Sequence, residues 1–121
     1  MIAADPLFQP LAFRNLTIKN RLLRSNVSGR LDQYDGSGTQ ARINWELKFA
    51  RNGVGAIISS WTGVDPRGRI VPNFATIERD DCIPFWRELA EQVHRHDCSY
   101  ILQLAHAGRQ RDLPGFEFPK G

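Results

Sequence analysis

The stretch Asn52-Gly53-Val54-Gly55-Ala56-Ile57-Ile58-Ser59-Ser60 decides how this 121-residue chain is read. Val54 to Ser60 is a short run without polar alternation, as expected of a strand buried on both faces. Asn52-Gly53 before it is a helix stop. Upstream, Ile43, Leu47 and Ala50, with Trp45 and Phe49 beside them, fall on one face of a helix predicted over 40–52. Ser37 or Thr39, at the end of the Asp-, Gly- and Ser-rich loop 32–39, is placed to cap it. Farther back, Arg21-Leu22-Leu23-Arg24-Ser25-Asn26-Val27 reads as the first core strand, turning small and polar at its end. Strand, helix, strand in this order implies a right-handed parallel crossover.

The unit then repeats. Residues 61–79 form a long loop with Gly63, Pro66, Gly68 and Pro72, beyond the usual length of such a connection, so it carries function or packs on itself. Asp80 or Asp81 is expected to cap a second helix with Pro84 in its first turn. Phe85, Leu89 and Val93, flanked by Trp86 and Ala90, give that helix an apolar face to about His96. Asp97 takes the left-handed position that usually holds glycine. Ser99 to Leu104 is the third strand, and 109–121 is a Pro- and Gly-rich loop. Ahead of all this, Leu11-Ala12-Phe13 and Thr17-Ile18 pair across Arg14-Asn15-Leu16 as a hairpin within 7–20.

Hairpin, then β, α, β, α, β is α/β architecture that opens either a doubly wound sheet or a (β/α)8 barrel. Neither GxGxxG nor GxxxxGK[ST] is present, so dinucleotide and P-loop phosphate binding have no motif support. The amino-terminal portion of a barrel is the better reading, as one domain's worth of chain.

Sixteen basic and 13 acidic residues leave a charge of +3. Both signs are scattered, which argues against nucleic acid as a partner. Cys82 and Cys98 lack CxxC spacing and are expected as reduced thiols. The first ten residues show no basic signal-like region, and no apolar run reaches membrane-spanning length. A cytoplasmic protein without a membrane partner is the expectation.

The strand ends carry the candidate chemistry. His94, His96 and Cys98 do not form a metal grip, because helix positions two apart point to different sides. No GxSxG elbow occurs. Ser25–Ser28, Ser60–Thr62 and Gln103–His106, by contrast, all fall at the carboxyl ends of successive parallel strands, the face where barrels bind ligands. Small hydroxyls and amides with few charges suit a neutral, flat, hydrogen-bonding ligand. Gln103 can donate and accept at once, which matches the edge of a planar heterocycle. The competing reading is that strand ends often look like this.

The order NRLLRSNVSG (20–29), NGVGAIIS (52–59), VDPRGRI (64–70) and QLAHAGR (103–109) resembles the amino-terminal part of the Old Yellow Enzyme family, the NADH:flavin oxidoreductases that include 2,4-dienoyl-CoA reductases. The resemblance implies a (β/α)8 barrel with non-covalent FMN across its carboxyl-end face and the hairpin closing the opposite end. NADH or NADPH is then the electron donor and an activated alkene (an enoate, enone or dienoyl compound) the acceptor. Ser25, Asn26 and Val27 fall where the family has Ala-Pro-Met bordering the flavin. Ser28 falls on the Thr or Cys position that tunes it, and Gln103 matches the amide at the pyrimidine edge. His106 and Arg109 are expected to organise the loop.

Two departures stand out. Ser60-Trp61 occupies the place of Glu followed by Ala or Gly, so Trp61 must point away or reshape the pocket, and Asn26 replaces Pro. A full barrel needs about 250 residues, so the catalytic and phosphate-binding residues of the family are expected farther along a longer chain. The alternative is a non-catalytic barrel fragment whose open strand edges pair with a second copy or another chain.

Overall fold

The computed structural model describes residues 5–111. Helix α1 (Gln40–Arg51) starts at Thr39, whose hydroxyl accepts the Arg42 N–H at 3.1 Å and donates to the Leu31 carbonyl at 2.5 Å. Thr39, not Ser37, is therefore the cap. Thr39→Ala should cost about 1 kcal/mol, read as a shifted urea midpoint with an unchanged slope; an unmoved midpoint would contradict the cap assignment.

The helix closes as the sequence implies, with Gly53 at φ +91°. Two residues on, Gly55 passes against Asn20 so closely that a Cβ would lie 2.6 Å from the Asn20 carbonyl oxygen. The Gly55 N–H donates to the Leu22 carbonyl at 2.8 Å. Asn20 ties the same segments from its side chain, donating to the Gly53 carbonyl at 2.7 Å and accepting the Leu22 N–H at 3.1 Å. This clamp aligns β3 (Leu23–Arg24) with β4 (Ala56–Gly63). With β5 (Ser99–Ala105), they form a parallel sheet in the order β3-β4-β5.

One face of the sheet is covered by α1 and by α2 (Ile83–His94). Ile43, Leu47 and Ala50 from α1 meet Trp86, Leu89 and Val93 from α2 over Ile57, and Tyr100 and Leu102 pack at the margin. Ile43, Leu47, Ala50, Trp86, Leu89 and Val93 are core residues as expected, with Phe49 and Phe85 packed against them, while α1 also buries Arg42 and Glu46.

The hairpin pairs β1 (Leu11–Ala12) with β2 (Thr17–Ile18), antiparallel, and buries Ile18. Lys19 Nζ reaches the His96 carbonyl at 2.7 Å. Together with Asn20, this seats the hairpin at the amino ends of the strands. The carboxyl ends are left clear of it.

Several boundaries differ from the sequence reading. The first strand is Leu23–Arg24 rather than 21–27, because the Arg24 side chain turns to the buried Glu46 and residues 25–27 close a tight turn, Val27 N–H donating to the Ser25 carbonyl at 2.8 Å. The second strand runs on through Trp61 to Gly63, so the long loop begins at Val64. That extension is held by the returning segment, with Gly63 N–H on the Ala75 carbonyl (3.0 Å) and Ile77 N–H on the Gly63 carbonyl (2.9 Å). Neither Asp80 nor Asp81 caps α2: both lie in a 3-10 turn, Asp80–Cys82, and Asp81 accepts from Arg79 Nε at 3.0 Å instead. The helix ends at His94 rather than His96, while Asp97 takes the expected left-handed conformation at φ +49°. The carboxyl-terminal loop expected over 109–121 opens with a 3-10 turn, Gly108–Gln110, and its remainder past Arg111 lies outside the described residues.

Cys82 and Cys98 are both buried free thiols. Burial pushes the Cys98 thiol up to about 11, above its ordinary 9. A raised thiol favours the neutral form, so its contribution to stability is present at neutral pH and is lost as pH rises from 9 toward 11. In the folded protein at pH 8, Cys98 should resist iodoacetamide and react only in denaturant. Mass spectrometry showing native-state labelling at Cys98 would contradict this. No helix among the described residues is long and apolar enough to cross a membrane.

Candidate functional site

The carboxyl ends of β3 and β5 are joined across β4 by a pair of amides. Asn26 Nδ2 donates to Gln103 Oε1 at 2.7 Å. Trp61 is the in-register partner of Gln103 on β4, which places the indole and the two amides along one rim. Three of the six predicted cofactor-binding residues thus come together, although their strands are separated by up to 77 positions in sequence. Of the others, Ser25 and Val27 form the turn that presents Asn26. Ser28 lies just past it, its hydroxyl accepting the Arg30 N–H at 3.1 Å.

A bulge in β4 sets the register at this rim. Pairing between β4 and β5 shifts between Ile58 and Trp61. Ser59 fills the irregularity: its Oγ accepts the Gln103 N–H at 2.9 Å and donates to the Ser60 carbonyl at 2.8 Å. Bulges commonly re-aim a side chain next to a site, and here the bulge brings Trp61 level with Gln103. The indole N–H of Trp61 and the hydroxyl of Ser60 are buried without a hydrogen-bond partner among the described residues. A buried unmatched donor is costly unless something accepts from it.

The next two loops pack on each other, as expected for His106. The imidazole of His106 sits where any Cβ on Gly68 would be. The Ala107 N–H donates to the Gly68 carbonyl at 2.8 Å, and Gly108 N–H donates to His106 Nδ1 at 3.0 Å. In the same loop, the side-chain bond from Arg67 holds the Asp65 carboxyl down at about 2, with the Arg67 N–H helping. His106 therefore shapes the loop beside the rim.

Sequence reasoning missed a buried set of charges directly behind the rim. Glu46, fully buried, accepts from Arg42 Nε (2.9 Å) and Tyr100 OH (3.2 Å) on Oε1, and pairs with Arg24 through Oε2. Arg42 Nη1 reaches Asp32 at 2.7 Å, and Arg24 Nη1 donates to the Val27 carbonyl at 2.7 Å. Burial raises the Asp32 carboxyl and the Tyr100 phenol and lowers the Arg24 guanidinium from their ordinary values, with the Arg42 charge opposing the first two shifts. The one sequence signal was Arg42 and Glu46 at i, i+4 immediately beside the stripe of Ile43 and Leu47.

The rim offers amides and hydroxyls. No group of His, Cys, Asp and Glu among the described residues could hold a metal ion. Such donors fit the edge of a planar ring with both donors and acceptors. In this respect the residues present fit a flavin.

Comparison with known proteins gives the same direction. The sequence model of the NADH:flavin oxidoreductase / NADH oxidase family matches residues 6–119. The chain is similar to an NADPH dehydrogenase from Halalkalibacterium halodurans, 37% identical over 110 residues, covering 90% of this chain and 32% of that protein. Among solved structures it resembles the Old Yellow Enzyme from Pichia sp. AKU4542, with a TM-score of 0.82, 25% identity, and coverage of 88% of this chain and 28% of that one. Morphinone reductase in complex with tetrahydroNAD gives a TM-score of 0.75 at 27% identity, covering 88% and 29%. The chain spans about a third of the length of the curated NADPH dehydrogenases it matches.

Proposed function

Because the chain belongs to the NADH:flavin oxidoreductase / NADH oxidase family, we propose that residues 1–121 are the amino-terminal segment of one FMN-binding (β/α)8 barrel domain. Residues 7–20 close its base and 21–109 supply its first three strands and two helices, while the loop expected over 110–121 lies, past Arg111, outside the described residues. Its activity is hydride transfer from NADH or NADPH to an activated alkene, an enoate, enone or dienoyl compound. The observation that carries this reading is the amide pair Asn26–Gln103, at the strand ends opposite the hairpin.

Bound FMN would supply the hydride chemistry, while the protein supplies binding, orientation and electrostatics. Gln103 binds the pyrimidine edge: Asn26 occupies one lone pair of its carbonyl oxygen, which fixes the amide's orientation and leaves its NH2 to donate. Trp61 walls the second strand end, where a smaller residue would leave room. Ser25, Val27 and Ser28 border the ring through the turn they form. Among the described residues we assign no proton donor or substrate anchor.

Anaerobic addition of NADPH or NADH to the FMN-loaded protein, expressed from its complete reading frame, should bleach the flavin absorbance, and an enone should restore it. Flavin left oxidised by both nicotinamides would remove this reading.

A second reading has its own observation. Neither β3 nor β5 has a further strand partner among the described residues, and Leu104 on β5 is 62% exposed. Such edges associate readily, with the remainder of a barrel or with a second copy. Size-exclusion chromatography separates the cases: a flavin-free oligomer of the 121-residue chain favours association alone, and a yellow monomer excludes it.

A further inference from the structure

We infer that Arg24 is a positioning residue, fixing the turn Ser25–Ser28 that forms one wall of the flavin site; this rests on the reading of that site given above. The turn has little else to hold it. Strand β3 stops at Arg24, and within the turn only Val27 N–H bonds back, to Ser25. Asn26 and Val27 are exposed, Val27 by 54%. The Arg24 side chain, 7% exposed, donates from Nη1 to the Val27 carbonyl at 2.7 Å, and its other fork, Nη2, is pinned by Glu46. The Phe49 ring lies 4.8 Å from the guanidinium carbon and closes the third side.

The anchor is itself held by rigid structure. Glu46 sits on α1 and takes bonds from Arg42 on the same helix and from Tyr100 on β5. Arg42 in turn binds Asp32 in the loop before α1, and Asn73 Nδ2 binds the Asp32 carbonyl at 2.9 Å. Two guanidiniums and two carboxylates leave the cluster neutral. An apolar side chain would fill the Arg24 position with less desolvation, but it could not donate to the Val27 carbonyl. What the charge cluster adds is a fixed point for a turn without strand pairing, and binding groups must be held within about 0.5 Å of their working position. Through Asn26, the same fixed point extends to Gln103.

The test uses Arg24→Met and Arg24→Lys in the protein expressed from its complete reading frame, with two readouts. Titrating apo-protein with FMN should show a dissociation constant raised roughly tenfold or more for Arg24→Met, the scale of a lost charged hydrogen bond. Arg24→Lys keeps the charge beside Glu46 but lacks the planar fork, and should fall between the two. Hydrogen exchange without flavin should quicken in peptides covering 25–29 and stay unchanged in β5 and α2. Wild-type exchange in 25–29 for Arg24→Met, or acceleration spread evenly over the domain, would overturn the inference. Should Arg24→Met fail to fold, Arg24→Lys carries the same two outcomes. A wild type that takes up no FMN would defeat the proposed function, while the exchange arm still decides whether Arg24 holds the turn.

Discussion

Glu46→Ala should destabilise the fold by about 3–5 kcal/mol, the range for removing one partner of a buried ion pair. The carboxylate is fully buried and receives three side chains: Arg24, Arg42 and Tyr100. Removing it leaves Arg42 with Asp32 as its remaining carboxylate, but leaves Arg24 with only the Val27 carbonyl. Burial already lowers the Arg24 guanidinium from its ordinary value, so the uncompensated charge is expensive where it sits. Urea unfolding followed by circular dichroism reads the loss directly. Glu46→Gln, which keeps the shape and some hydrogen bonding, should fall between. A loss under about 1 kcal/mol for Glu46→Ala would place the cluster in the class of surface pairs and contradict its burial.

The second large effect concerns ligand rather than fold. Gln103→Leu should weaken FMN binding by roughly one to two decades, because an unmade hydrogen bond in a desolvated site costs about 1–3 kcal/mol. The substitution also removes the acceptor for Asn26 Nδ2, so the amide pair is lost as a unit. If Gln103 only caps β5, Leu would change the melting temperature and leave the dissociation constant, counted per folded protein, where it was. Asn26→Leu separates the parts: it frees the Gln103 amide to rotate and should produce a smaller loss than Gln103→Leu.

Apolar periodicity made the helices and the βαβαβ order legible. Ile43, Leu47 and Ala50 on one helix and Leu89 and Val93 on the other are core residues at helical spacing, and that spacing survives folding. The rim was legible as three strand ends with amides and hydroxyls, but its geometry was not. The contact between Asn26 and Gln103 depends on a bulge at Ser59-Ser60, and the sequence there shows only two serines. Trp61, Thr62 and Gly63 read as loop because Gly63 lies close to Pro66; they are strand because Ala75 and Ile77 return to bond Gly63. The charged cluster escaped for a different reason. Pattern reading assigns Arg and Glu to solvent, whereas Arg24, Arg42, Glu46 and Asp32 are buried in ion pairs with one another, although Arg24 Nε and Arg42 Nη2 have no hydrogen-bond partner among the described residues. Asp80 and Asp81 show the reverse failure: acidic residues at a helix start looked like caps, but Arg79 takes Asp81.

The most direct measurement is the visible spectrum of the protein purified from its complete reading frame, before and after denaturation. Bound flavin absorbance, released on unfolding as free FMN in a one-to-one ratio to protein, is the result expected if the rim of Asn26, Trp61 and Gln103 edges a flavin. A folded, colourless protein whose spectrum and melting temperature do not change on titration with FMN would contradict it.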